Sequence, residues 1–381
     1  MLQPFYNKKI CSGGLKMLDQ KRIRDYGVKV GKLEPGENNS ITDIEGIKVG
    51  HVTISKGKEV NTGVTALLPH MGDVFNNKLI AASHVINGFG KTLGTIQINE
   101  LGLLETPIIL TNTLSVGTAA QALTEYMLAQ NSEIGDKTGT VNPVVCECND
   151  QYLNDIRGCH VDKKDILKAI TKASDSFAEG DVGAGRGMSC YGLKGGIGTA
   201  SRLISINQRT HKIGVMVLSN FGKCKDFILN GKQVGETIAE ALKDDENNNK
   251  NISRNNDNEI EEKEKGSIIV ILATDIPMTS HQLNRLCKRA IIGLNRTGSY
   301  MGNGSGELVI GFSTGNKIPH KYEEDFHSIK RFNTNMIDKL FRAVGESTEE
   351  AIYNSMICAD TVEGRKGNIR YSLKEYIGSI I

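Results

Sequence analysis

Apolar and polar positions begin to alternate near Ile41, through ITDIEGIKVGHVTI and then GVTALLP. A period of two is the mark of half-buried β-strands. A glycine-rich stretch, HVINGFGKTLG, comes next. LETPIILTNTLSVGTAAQALTEYMLAQ then reads as a short buried strand, a turn and a helix starting near Ser115. After NPVVCECNDQYLND, helical spacing returns across Lys163–Phe177. The glycine cluster DVGAGRGMSCYGLKGGIGTASR follows, and KIGVMVLSNFG predicts a strong strand ending in the polar pair Ser219 and Asn220. A further helix is predicted over Val234–Lys243.

The pattern then stops. Residues 243–265 hold seven Asn and many charges, with Ile252 and Ile260 as the only aliphatic candidates for a core. So polar a segment cannot offset its ordering entropy by burial, and a disordered insert is expected. GSIIVILATD follows without transition. Its uninterrupted apolar run, Ile268–Leu272, predicts a strand covered on both faces. Residues 279–296 form an amphipathic pattern with Leu283, Leu286, Cys287, Ala290, Ile291 and Leu294 on one face. ELVIGFST predicts another strand, and two more helices are expected near Met336–Val344 and Ser347–Ala359. The second opens on Ser-x-Glu-Glu, which resembles a helix cap. Residues 1–40 lack a clear pattern and are expected to form a surface extension to one α/β domain over 41–381.

Charge narrows the possible functions. Lys plus Arg number 46 against 44 Asp plus Glu, a formal net charge of +2, and the basic residues are scattered. Nucleic-acid binding, which needs a concentrated basic surface, is not expected. The eight cysteines include no C-x-x-C pair and read as free thiols in a reducing compartment. Charges at Lys8, Lys9, Lys16 and Asp19 break up the first twenty residues, and no apolar run approaches a membrane span. A cytoplasmic protein is expected. VINGFGKT lacks the first glycine of a phosphate-binding loop, and GAGRGM has Met188 where a dinucleotide fingerprint needs glycine. No histidine cluster suggests a metal, and no cofactor is expected.

One junction carries chemistry. A polar insert ends at Gly266–Ser267 and a buried strand begins there. If that bond broke, Ser267 would be an amino terminus positioned by a rigid element. It would carry both a hydroxyl and its own base, since an α-amino group has a pKa of about 7.7–8.0. A serine hydroxyl needs such activation. Glycine before it adds no Cβ and tolerates unusual backbone angles during attack on its carbonyl. A Gly-Ser dipeptide alone is weak support.

The segments NTGVTALLPH, HVINGFGKTLG, ELGLLETPIILTNTLSVGT, NPVVCECND, YLNDIRG, GDVGAGRGM, GLKGGIGTASR, VLSNFG, GSIIVILATDIPM and NRTGSYMGNGSGELVIGFST occur in that order. Together they resemble the L-aminopeptidase/D-esterase and β-peptidyl aminopeptidase family. The resemblance implies a four-layer α/β/β/α sandwich of the self-processing, N-terminal-nucleophile-like type, related to ornithine acetyltransferase. It implies cleavage into 1–266 and 267–381, with Ser267 as nucleophile. It further implies assistance from Ser305 and Glu307, an oxyanion donor in Asn220, and a carboxylate at Glu147 that receives the substrate's free amino group. The implied activity is release of N-terminal residues from short peptides, amides or esters through an acyl-enzyme, by a cytoplasmic homo-oligomer, often a tetramer of processed pairs. Two departures limit what carries over. The insert before Gly266 is long, so the cut has to be tolerated at its end. Some members carry tyrosine where Asn149 stands, with Tyr152 nearby, which bears on substrate preference. An acyltransferase resembling ornithine acetyltransferase is an alternative, although those enzymes place threonine at the new terminus. An unprocessed binding protein of the same fold is another.

Overall fold

A computed structural model describes residues 20–248, 266–322 and 324–381. Ten strands build its two main sheets: β1 (Lys48–Lys56), β2 (Val60–Leu68), β3 (Asn77–Gly88), β4 (Leu103–Leu104), β5 (Ile108–Asn112), β6 (Val144–Cys148), β7 (Gly196–Ile206), β8 (Arg209–Asn220), β9 (Ser267–Thr274) and β10 (Gly306–Pro319). The helices used below are α1 (Thr95–Leu101), α2 (Val116–Gln130), α3 (Lys163–Thr171), α4 (Gly235–Asn248), α5 (Ser280–Cys287), α6 (Ala290–Arg296) and α7 (Asp338–Ile357).

One sheet runs β1-β2-β5-β6 and the other β4-β3-β10-β9-β8-β7. Alternation of side chains divides the apolar residues into three cores. Val49, Leu67, Ile108 and Cys146 of the first sheet meet Met216, Leu218, Ile269 and Ile310 of the second. On the outer face of the first sheet, Val64 and Val145 pack with Leu123 and Ile166 of α2 and α3. On the outer face of the second, Val217 and Val270 pack with Leu283, Leu294, Val344 and Ile352 of α5, α6 and α7. The architecture is therefore the expected α/β/β/α sandwich. Two glycines let helices approach closely: a Cβ on Gly50 would meet Ala169 O of α3, and one on Gly198 would meet Ala351 O of α7.

The Ile268–Leu272 run is internal, as expected. β9 lies between antiparallel β8 and parallel β10, and all eight of its residues are buried. Burying five large aliphatic side chains stabilises it by about 1.5–3 kcal/mol each before ordering entropy is counted.

Four expectations need correction. Residues 20–40 are not a surface extension: Ile23, Val28 and Val30 are buried, and Arg22 pairs with Glu179 at 2.7 Å. Residues 1–19 lie outside the described residues. The expected disordered insert over 243–265 begins too early, because α4 continues to Asn248; residues 249–265 lie outside the described residues. The 279–296 pattern is two helices. Arg289 N bonds to Leu286 O at 2.8 Å, a tighter turn that separates α5 from α6. Finally, 336–344 and 347–359 are not separate helices, since α7 runs unbroken through buried Ser347. Of the two acids that resembled a cap, Glu349 pairs with Arg296 at 3.2 Å and Glu350 belongs to a buried ion cluster. Arg202 contacts Glu346 at 3.3 Å and Glu350 at 2.7 Å, and Arg24 contacts Glu350 at 2.6 Å.

Arg202 and Glu350 are fully buried, so removing the cation leaves Glu346 without its buried partner and Glu350 with Arg24 as its remaining cation. Arg202→Met is expected to destabilise the fold by about 3–5 kcal/mol. Urea titration followed by circular dichroism should show a lower midpoint with little change in slope.

Candidate active site

Ser267 opens β9, and the register of the sheet gives its neighbours. It pairs with Asn220, the last residue of β8, and with Gly306, the first residue of β10. Adjacent strands lie about 4.7–4.9 Å apart. Asn220 and Gly306 are therefore immediate neighbours of Ser267, and Ser305 and Glu307 flank Gly306 along the next strand. Four of the residues expected at the site thus converge at one end of the central sheet.

Each is held by its strand and by specific bonds. Ser305 Oγ donates to Glu307 Oε1, and both residues are fully buried. Asn87 on β3 donates its amide to the Ser305 and Gly302 carbonyls, fixing the turn before β10. Asn220 Oδ1 accepts from Ser189 N at 2.8 Å, and Nδ2 donates to Asn149 O at 2.9 Å. A backbone N–H can meet only the oxygen of that side chain and a carbonyl only its nitrogen, so the amide has one orientation.

Gly266 is fitted closely to this end of the sheet. A Cβ there would lie 2.7 Å from both Asn220 O and Phe221 Cα, where backbone atoms cannot easily give way. Its carbonyl accepts a hydrogen bond from Gly306 N at 2.9 Å. The carbonyl of the Gly266–Ser267 bond is thus already polarised by a backbone donor.

Ser267 shares the pleat of Ile269 and Ile271, whose side chains enter the core between the sheets. Cys148, at the end of β6, faces it there. The Ser267 hydroxyl lies beside the Cys148 thiol and acts against the rise in its pKa, while Cys148 Sγ donates to Leu218 O at 3.5 Å. Burial pushes the Cys148 thiol pKa well above its ordinary value, with the Glu147 charge adding to the shift. Cys148 is therefore a neutral neighbour of Ser267. The sequence marked it only as a buried thiol, because contact across two sheets leaves no signal in local spacing.

Glu147 precedes Cys148 on β6, and only 4% of its surface is exposed. Lys91 N donates to its Oε1 at 2.8 Å and Thr113 Oγ1 to its Oε2. Among the described residues no lysine, arginine or histidine forms an ion pair with it. Asn149 is exposed and uses its backbone carbonyl to hold Asn220. Tyr152 lies under the Arg370 guanidinium, 3.6 Å from the ring centroid, and Arg370 Nε donates to Ser189 Oγ at 3.1 Å. Tyr152 is linked in this way to the Ser189–Asn220 pair. Among the described residues no group of three or more His, Cys, Asp or Glu side chains could hold a metal, and no helix is long and apolar enough to cross a membrane.

Residues 39–370 match the model of peptidase family S58. The chain belongs to peptidase family S58. Within that family it is 37% identical over 364 residues to the β-peptidyl aminopeptidase BapA of Sphingosinicella microcystinivorans, covering 93% of this chain and 90% of the relative. The PH0078 protein of Pyrococcus horikoshii OT3 superposes with a TM-score of 0.86 at 47% identity, covering 94% of this chain and 98% of the other. The L-aminopeptidase D-Ala-esterase/amidase of Ochrobactrum anthropi, a serine aminopeptidase with a variant of the Ntn hydrolase fold, superposes with a TM-score of 0.82 at 33% identity. That match covers 94% of this chain and 99% of the other. This S58 protein is accordingly a hydrolase of the serine aminopeptidase/amidase type, on a fold whose nucleophile is an amino-terminal residue.

Asp150 stands behind the site, next to Asn149. It is fully buried and accepts from Asn154 Nδ2 at 3.0 Å. Burial raises its carboxyl pKa to about 7, against about 3.9 for an unperturbed aspartate. Between those values the folded state keeps a proton that the unfolded chain has released, so this group makes stability fall as pH rises through the window. Asp150→Asn is expected to flatten the stability profile between about pH 4 and pH 7. Urea midpoints measured across that range, variant against parent, check it.

Proposed function

We propose that the chain cuts itself at Gly266–Ser267 and then uses Ser267 to release N-terminal residues from short peptides, amides or esters. The observation that carries this reading is the register placing Ser267 at the head of a buried central strand, opposite Asn220 and Gly306. For the cut, Ser267 Oγ attacks the Gly266 carbonyl carbon, whose oxygen is held by Gly306 N. The C–N bond then breaks, and the Ser267 nitrogen takes the hydroxyl proton and leaves as the amine. The ester so formed is hydrolysed by water, leaving the Gly266 carboxylate on one fragment and the Ser267 amine and hydroxyl on the other.

For substrate, the Ser267 amine acts as general base toward its own hydroxyl, and the Ser305–Glu307 pair supports that proton transfer. The hydroxyl attacks the carbonyl of the substrate's first residue. Asn220 Nδ2, which has a second hydrogen beyond the one given to Asn149 O, donates to the oxyanion. Collapse expels the amine or alcohol, and water then releases the acyl group. No metal or organic cofactor takes part.

Glu147 sets the exopeptidase character. A buried carboxylate without a cation partner is costly to keep charged, and a substrate ammonium would supply the missing partner. An internal peptide bond lacks that charge. Residues 1–266 and 267–381 remain one body after cleavage, because β9 and β10 lie between β3 and β8 in a single sheet. The same reading takes the protein as a cytoplasmic homo-oligomer of processed pairs, in keeping with the free thiols among its described cysteines.

Ser267→Ala is expected to fold but to hydrolyse amino-acid p-nitroanilides and β-amino amides at background rate. Turnover by that variant comparable with the parent's would end the assignment. Glu147→Gln keeps the shape and removes the charge; loss of one charge-assisted contact, worth about 1.5–3 kcal/mol, should lower kcat/KM by about 10- to 100-fold, mainly through KM. Steady-state kinetics on substrates with and without a free amine provide the check.

A further inference from the structure

Lys194, in the glycine-rich segment between the sheets' main strands, is fully buried. Its ammonium donates to three backbone carbonyls: Gly185 O at 2.9 Å, Met188 O at 2.9 Å and Gly195 O at 2.7 Å. No sequence motif marks it. Burial is the largest influence on its pKa and draws it down to about 7, with Asp181 acting in the opposite direction. Keeping a charged amine there requires the three carbonyls to replace water.

One of those carbonyls leads to the site. The peptide joining Met188 to Ser189 presents its C=O to Lys194 Nζ and its N–H to Asn220 Oδ1, at 2.8 Å. Gly195 N also donates to Met188 O, at 3.0 Å. A cation on the carbonyl of a peptide increases the positive charge on its N–H, and hydrogen-bond chains strengthen one another in a low-dielectric interior. That N–H in turn draws electron density toward Asn220 Oδ1 and makes Nδ2 a better donor.

We propose that Lys194 is a positioning residue for catalysis, acting through the Met188–Ser189 peptide to orient and polarise the Asn220 amide toward the oxyanion. The proposal rests on Asn220 being the oxyanion donor. Lys194 touches neither the substrate nor Ser267 in this mechanism. Its contribution appears where negative charge develops, so it belongs to kcat more than to KM.

A double-mutant cycle tests the link. Rates are measured per processed chain, the processed fraction being read by denaturing intact mass, for Lys194→Met, Asn220→Ala and the double variant. Asn220→Ala should cost about 100- to 1,000-fold in kcat. Lys194→Met should lower kcat by about tenfold, with KM changed less than about threefold, as for an interaction made in the transition state. In the Asn220→Ala background the same Lys194→Met change should cost almost nothing, because its route to the oxyanion is already gone. Additive losses would overturn the proposal and leave the Asn220 assignment intact. An undiminished kcat in Asn220→Ala would overturn both.

If Lys194→Met yields no folded protein, Ser189→Pro removes the N–H at the other end of the same peptide while keeping the lysine. Met188 already has φ −84° and ψ 148°, the extended conformation favoured before proline. The cycle of Ser189→Pro with Asn220→Ala should show the same non-additivity, and additive losses there would overturn the proposal equally.

Discussion

A single buried strand constrains the whole molecule. β9 is hydrogen-bonded on both edges and covered on both faces, so its first residue has no freedom to drift. An amino-terminal nucleophile needs that rigidity, since a terminus is ordinarily the least ordered part of a chain. Here the element that fixes Ser267 also brings up its neighbours. Antiparallel pairing with β8 delivers Asn220, and parallel pairing with β10 delivers Gly306 between Ser305 and Glu307.

The rest of the fold serves that placement. Because β10 and β9 separate β3 from β8, a cut before Ser267 would leave the two pieces interleaved in one sheet. The second sheet closes over the core and brings Cys148 against Ser267, with Glu147 one residue earlier. Behind Asn220, the segment around Ser189 is held by a buried ammonium and by Arg370. Polar groups inside proteins are expensive unless satisfied, and here their satisfaction runs in a connected path toward the site.

Much of this was legible in the sequence, and the gaps have physical causes. The Ile268–Leu272 run could only be an internal strand, and KIGVMVLSNFG ended where β8 ends, on Asn220. β3 and β7 left weaker marks: the first runs into HVINGFGKTLG, and the second lies inside a glycine cluster where small residues make room for α7 at Gly198. Local rules also misread α7. Glu349 and Glu350 resembled a cap because capping chemistry is local, whereas the role of Glu350 is set by Arg202 and Arg24 from distant strands and turns. For the same reason Lys194 and Cys148 carried no signal. Their partners are backbone carbonyls and a residue of the facing sheet, which spacing along one segment cannot reveal.

The most direct measurement is the mass of the unmodified protein under denaturing conditions, together with the amino-terminal sequence of its smaller piece. Two polypeptides are expected, the smaller beginning Ser-Ile-Ile-Val at Ser267, eluting together as one particle until denaturant is added. A single intact chain of 41.5 kDa in a preparation that hydrolyses amino-acid amides would contradict the account, because the base for Ser267 would then be tied up in a peptide bond.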